Sequence, residues 1–249
     1  MIRAVIIDDE RNSRDIISLM LGKYCPQIEA VGTAANCREG IEQIRLHKPQ
    51  LVFLDLEMPD GTGFDVLAGA YDASFEAIFV TAFEKRFLHT IRLSEVELIL
   101  KPIDKESLLQ AVGTVIKRIE NQNPHPRYEV LLANFNRSAG EVRQMVIPCS
   151  QGKEVTLAVE EVSYFEGFSE KTVFYLEDGR VLNSPRSFRY YTELFTNMRF
   201  YQINNHQMVQ VSHLQKVDPD DTKIVLRNKV VLEVTDRRRK ELIVIWKSR

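Results

Sequence analysis

Short apolar runs alternate with amphipathic stretches five times along residues 1–120. The runs at 2–7, 28–31, 51–54, 77–80 and 96–100 are strand-length and nearly continuous, the pattern of strands buried on both faces. Between them, Ile16, Ile17, Met20 and Leu21 recur at helical spacing, as do Ile41, Ile44 and Leu46, then Phe64, Val66 and Leu67, then Phe87, Leu88 and Ile91. A longer stripe, Leu108, Leu109, Val112, Val115, Ile116 and Ile119, closes the series. Strand and helix in strict alternation predict an α/β domain, a doubly wound parallel sheet with helices on both faces.

Residues 121–127, Asn-Gln-Asn-Pro-His-Pro-Arg, hold two prolines and no apolar side chain, and read as a linker. Beyond it the texture changes. Short strand-like runs occur at 144–148, 154–159, 163–166, 172–176, 180–183, 208–211, 223–226 and 230–234, with Asp178-Gly179 as a hairpin signal. One helix stands out, with Ser184 as its cap, Pro185 at its first position, and Phe188, Tyr191 and Leu194 on one face. The expected organisation is a domain over 1–120, a linker over 121–127 and a mainly-β domain over 128–249, its core at about 145–245.

Composition narrows the class. With 249 residues, 44% hydrophobic and 27% charged, the chain is an ordinary globular one and too apolar for wholesale disorder. No apolar run approaches the ~18 residues of a membrane span. The first residues run straight into Asp8, Asp9 and Glu10 without the basic start and long apolar core of a secretory signal, so a cytoplasmic protein is expected. Cys25, Cys37 and Cys149 show no metal-ligand spacing and read as free core cysteines. Residues 1–127 hold 15 Lys and Arg against 19 Asp and Glu, net −4. Residues 128–249 hold 18 against 16, net +2, with the positive charge clustered at Arg237-Arg238-Arg239-Lys240. That excludes a strongly basic coat and leaves a local anion-binding patch.

The polar residues of the first half fall where a parallel sheet binds ligands, outside the carboxyl ends of its strands. Asp8 and Asp9 follow the first strand, Asp55 the third, Thr81 ends the fourth and Lys101-Pro102 follows the fifth. Each alone is ordinary: an Asp pair caps helices, Asp55 precedes a turn, and a Lys at a strand end is commonly surface. Together they crowd three carboxylates into one crevice, which calls for a hard divalent cation. Carboxylates, a cation, a Lys and a hydroxyl suit a transferring phosphoryl group, and a carboxylate can itself be the nucleophile.

Val5-Ile6-Ile7-Asp8-Asp9-Glu10, Val52 through Pro59, Val80-Thr81-Ala82 and Leu100-Lys101-Pro102 together resemble the receiver domain of two-component response regulators. The resemblance implies a flavodoxin-like fold with Asp55 as phosphoacceptor. It implies Mg²⁺ on Asp9 and Asp55, with Asp8 helping through water and Glu57 through its backbone carbonyl, and Thr81 and Lys101 on the phosphoryl group. A sensor histidine kinase is the implied partner, and the phosphorylated receiver is expected to form a homodimer. One position departs: the family usually has an aromatic residue three before the Lys, and here that residue is Leu98. Phe83 or Phe87 would then take up part of the rearrangement.

The second half resembles the LytTR DNA-binding domain in Val162 through Gly167, the Asp178-Gly179 hairpin, Ser184 through Leu194, Phe200 through Val209, and Val234 through Lys240. That family implies short antiparallel sheets with one helix, whose loops enter successive major grooves of double-stranded DNA. Asn and Gln can pair with adenine, and Arg with guanine. Gln202, Asn204 and Asn205, before one strand, and Arg237, Arg238 and Lys240, in a loop after another, are the expected contacts. Where the family often shows Arg-Ile-His-Arg/Lys-Ser, this chain has Gln202-Ile203-Asn204-Asn205-His206, and His206, shifted by two, does not inherit the His role.

The sequence therefore predicts a phosphorylation-controlled transcriptional regulator. A second reading makes the β domain a phosphorylation-dependent protein-interaction surface that does not bind DNA specifically. A third, an aspartyl-nucleophile phosphatase with Glu57 as its acid, is disfavoured because that position points outward in receivers. No catalysis beyond the receiver's own phosphoryl transfer and dephosphorylation is expected.

Overall fold

The computed structural model describes residues 1–70, 74–82, 85–121, 126–136, 143–150, 153–196, 198–218 and 221–247. The chain divides into two compact units, Met1–Asn136 and Arg137–Arg249.

The first unit runs β1 (Ile2–Ile7), α1 (Arg11–Tyr24), β2 (Ile28–Ala34), α2 (Cys37–His47), β3 (Leu51–Leu54), a small hairpin β4 (Glu57–Met58) and β5 (Gly61–Thr62), then α3 (Gly63–Gly69), β6 (Glu76–Thr81), α4 (Lys85–Leu93), β7 (Glu97–Leu100), α5 (Lys105–Asn121) and α6 (Pro126–Phe135). Five parallel strands form one sheet in the order β2-β1-β3-β6-β7, the flavodoxin-like arrangement. The period-two alternation of each strand sorts its side chains into two cores. Val5, Ile7, Val52, Leu54, Ala77 and Phe79 share a core with Ile44 of α2, Phe64 of α3, Ile91 of α4 and Tyr128 and Leu131 of α6. Ala4, Ile6, Leu51, Phe53, Ile78 and Val80 share the other with Ile17 and Leu21 of α1 and Leu108, Val112 and Val115 of α5. Cys25 and Cys37 are buried, Cys149 is half-buried, and all three are free thiols.

The first unit continues beyond the stretch expected to link the domains. Residues 122–125 of that stretch lie outside the described residues, but Pro126 and Arg127 begin α6, which packs on α3 and α4. Arg127 is buried and pairs with buried Glu76 at 2.7 Å. The Tyr128 hydroxyl accepts from Ala77 N at 2.5 Å and donates to Glu76 Oε2 at 3.1 Å. Two charges taken out of water need this pairing, so the contact fixes where α6 sits on the start of β6.

The second unit comprises β8 (Gln144–Pro148), β9 (Glu154–Ala158), β10 (Val162–Phe168), β11 (Lys171–Leu176), β12 (Val181–Ser184), α7 (Phe188–Leu194), β13 (Phe200–Gln202), β14 (Gln207–Gln210), β15 (Leu214–Val217), β16 (Lys223–Leu226), β17 (Val231–Glu233) and α8 (Asp236–Lys247). Its sheets are all antiparallel: β12-β11-β10-β14-β13, β15-β16-β17 and β8-β9. One face of the five-stranded sheet carries Phe165 opposite Phe174, with Tyr191 and Phe195 of the α7 segment packed against them. Tyr164 and Val209 join a second core with Leu226, Leu232 and Leu242 of α8. Helix α7 starts later than Ser184: Ser187 is its cap, its side chain accepting from Tyr190 N, while Ser184 Oγ pairs with the Tyr191 hydroxyl inside the core. The segment expected as a loop over Arg237–Lys240 is instead the first turn of α8.

Candidate functional site

Ladder hydrogen bonds continue one residue past the strand ends and place the polar residues there. Asp8 N donates to Ala34 O at 3.1 Å, Asp55 N to Ile7 O at 2.8 Å and Lys101 N to Thr81 O at 2.7 Å. Asp8, Asp55 and Thr81 are buried, while Asp9 is exposed. Carboxylate oxygens of Asp8, Asp9 and Asp55 lie within 4.8 Å of one another. The Lys101 ammonium bridges the cluster, at 2.7 Å from Asp55 Oδ2, 2.9 Å from Asp8 Oδ2 and 3.1 Å from Glu10 Oε2. Burial pushes the Asp55 carboxyl above the usual carboxylate range, with Asp8 adding to the rise and Lys101 opposing it. Burial alone would lower the Lys101 ammonium, but its bonds to Asp55 and Asp8 win and hold it above its ordinary value.

Other groups hold the carboxylates in place. Ser13 Oγ donates to Asp8 Oδ2 at 2.5 Å, Glu10 N to Asp8 Oδ1 at 2.9 Å, and Glu57 N to Asp55 Oδ1 at 3.3 Å. The Glu57 side chain is exposed. A Cβ on Gly63 would stand 2.5 Å from the Asp55 carbonyl oxygen and 2.9 Å from Phe79, so only glycine lets α3 begin this close to Asp55. Ser13 and Gly63 carried no distinctive sequence signal, because their contacts are with Asp8 and Asp55 rather than with residues next to them in sequence. Leu98 is half-buried against the core that includes Tyr128 and Leu131. Phe83 lies outside the described residues, as does the side chain of Phe87.

In the second unit, the expected DNA contacts divide by exposure. Asn205, Arg237 and Lys240 are exposed, whereas Gln202, Asn204 and Arg238 are half-buried. Arg238 Nη1 donates to the carbonyls of Asn204 at 2.6 Å and Gln202 at 3.3 Å. Asn204 Nδ2 donates to Glu233 O at 3.1 Å and to Gln207 Oε1 at 2.7 Å, and Asn204 Oδ1 accepts from His206 N at 3.0 Å. Gln207 Nε2 in turn donates to Glu166 Oε2 at 2.8 Å, and the Tyr175 hydroxyl to Glu166 Oε1 at 2.5 Å. Burial and the neighbouring Glu166 carboxylate push the Tyr175 phenol well above its ordinary value.

An acidic cluster bridged by a lysine at the carboxyl edge of the β2-β1-β3-β6-β7 sheet is the arrangement of a receiver, here in one chain with a separate β-rich module. The response regulator receiver domain model matches residues 4–113, and the LytTR DNA-binding domain model matches residues 152–247. A response regulatory protein of Vibrio cholerae is 33% identical over 164 residues, 66% of this chain and 67% of its own. The transcriptional regulatory protein BtsR of Escherichia coli is 24% identical over 248 residues, 97% of this chain and 98% of its own. The sensory transduction protein LytT of Bacillus anthracis is 21% identical over 229 residues, 88% of this chain and 87% of its own. The chain belongs to the response regulators that join a receiver to a LytTR domain, and is a phosphorylation-controlled transcription regulator.

Proposed function

We propose that Asp55 accepts a phosphoryl group from a sensor histidine kinase and that the modified chain binds promoter DNA through its LytTR unit. The observation that carries this is Lys101, whose ammonium lies 2.7 Å from Asp55 and 2.9 Å from Asp8 at the sheet's carboxyl edge. The site offers only hard oxygen donors, which suit Mg²⁺. Asp8, Asp9 and Asp55 would hold the ion, together with the Glu57 carbonyl, and it would supply charge neutralisation on the phosphoryl oxygens.

The chain's own groups do the rest. Lys101 stabilises negative charge beside Asp55, Ser13 holds Asp8 in place, and Thr81, at the end of β6, would hydrogen-bond a phosphoryl oxygen. The carboxylate of Asp55 attacks phosphorus and the donor's leaving group departs, giving an acyl phosphate that water later hydrolyses. No other catalysis is assigned to the chain. On DNA, the exposed Asn205, Arg237 and Lys240 form the contact face. Phosphorylation pairs two chains, so that the second DNA module binds at raised effective concentration. The cytoplasm is the compartment this work requires. Among the described residues no helix is long and apolar enough to cross a membrane.

The test is intact-mass analysis with a small-molecule phosphodonor, followed by selection of bound duplexes from a random pool. Labelling of Asp55→Asn equal to wild type would remove Asp55 from the mechanism. Recovery of no preferred duplex by the phosphorylated chain would favour the protein-interaction reading.

A further inference from the structure

The loop between β13 and β14 is tied down by its carbonyl groups. Gln202 O and Asn204 O accept from Arg238, Ile203 O from Thr235 N, His206 O from Gly167 N and Gln207 O from Ile203 N. Such loop carbonyls usually face water or pair within their own turn. Here donors from α8, its leading residue and β10 reach across to them. The Asn204 side chain completes the tie, crossing to Glu233 O at the end of β17 while its own Oδ1 closes the turn on His206 N. Loop and first turn of α8 thus form one body, with Asn205, His206, Arg237 and Lys240 exposed on it.

We propose that Arg238 and Asn204 are positioning residues: a latch that fixes the 202–207 loop on α8 and so sets the spacing between the Asn205–His206 tip and the basic turn of α8. An arginine suits the task because its planar fork presents several N–H groups at once, and its charge favours two converging carbonyl dipoles. The half-buried guanidinium whose Nη1 is spent on Asn204 O and Gln202 O is the holding element, and the exposed groups beside it are the presenting ones. A base-reading surface gains from such fixing, because an ordered loop loses less entropy on binding.

The role on DNA rests on the reading of the second unit as a DNA-binding module, but the latch is a property of the free chain, so two measurements separate the two. The first is amide hydrogen exchange on the full chain without DNA. In Arg238→Ala the amides of Thr235 and His206 are expected to exchange roughly tenfold faster, the scale of one lost charge-assisted hydrogen bond. Arg238→Lys, whose ammonium can still donate to the two carbonyls, is expected to recover part of that protection, and it also serves if the Ala variant does not fold. Asn204→Ala combined with Arg238→Ala is expected to add little to either alone, because both hold the same loop.

The second measurement is a salt titration with the duplex the wild-type chain selects and with an unrelated duplex. A latch predicts that Arg238→Ala weakens the selected duplex by roughly tenfold while leaving the salt slope and the unrelated duplex unchanged. A slope shallower by about 0.9 would make Arg238 a phosphate contact and overturn the proposal. Unchanged exchange in both Arg238 variants would overturn it as well. Should the wild type select no duplex, the DNA reading fails and the exchange result alone decides the latch.

Discussion

Removing one member of the buried pair beneath α6 is expected to be among the costliest single changes in the first unit. In Arg127→Met the side-chain volume is largely kept and the guanidinium is lost. The Glu76 carboxylate, 1% exposed, is then left without the cation 2.7 Å away, although the Tyr128 hydroxyl still reaches it at 3.1 Å. Breaking a buried pair in this way costs about 3–5 kcal/mol. For a unit of this size that is a fall of about 10–15 °C in Tm. The double variant Glu76→Gln/Arg127→Met removes both charges and leaves Tyr128 a neutral partner, so most of the loss should return. Scanning calorimetry of the full chain, with exchange of the Ala77 amide as the local reporter, measures both. A single-variant loss below about 1 kcal/mol, or a double variant no more stable than the single, would refute the reasoning that α6 is fixed by this pair.

Phosphorylation by a small-molecule donor is expected to require Mg²⁺ and Asp55, and full labelling in excess chelator, read by intact mass, would argue against the metal site. Lys101→Ala is expected to impair labelling or the resulting dimerisation far more than Lys105→Ala, because Lys105 lies over the Tyr24 ring, on the α1 side of the sheet, and not on the carboxylates. Gly63→Ala, whose new methyl meets the Asp55 carbonyl at 2.5 Å, is expected to destabilise the receiver by about 1–3 kcal/mol and to slow labelling. Gly113→Ala, in α5 with nothing within 4 Å, is expected instead to raise stability by about 0.5–1 kcal/mol in the same melting assay.

The first sheet was legible because its strands are buried on both faces, so β1, β3 and β6 are written almost entirely in apolar residues. Their ends then located Asp8, Asp55, Thr81 and Lys101 without any knowledge of contacts. Helix α6 was harder to read. Tyr128, Leu131, Leu132 and Phe135 do carry helical spacing, but the helix follows a proline-rich stretch, and the partner that docks it, Glu76, looks in sequence like the polar edge of a strand. In the second unit, β13 and β15 span only three and four residues, too few to show a period. Helix α8 opens with charged residues and places its buried Leu242 late, so its first turn resembles a loop. The engagement of Arg238 with two carbonyls was beyond any side-chain pattern, because every loop has carbonyls and only the fold says which ones converge.

The charge balance at the receiver site shows what phosphorylation must disturb. Lys101 is a single cation shared among Asp8, Glu10 and Asp55. A phosphoryl group on Asp55 brings further negative charge and acceptor oxygens to the one place where the ammonium already sits. Lys101 then has stronger acceptors beside it than the exposed Glu10 carboxylate at 3.1 Å, and its bonds are expected to redistribute. The strand that ends beside it, β6, is pinned at its other end, where Glu76 and Ala77 are bonded to Arg127 and Tyr128 of α6. With that start held in the core, rearrangement is expected at the Thr81 end and in α4, which follows it. Leu98, on the neighbouring strand, packs against the same core as Tyr128 and Leu131 of α6. The packing of α4 against α6 is then the next contact such a rearrangement is expected to reach.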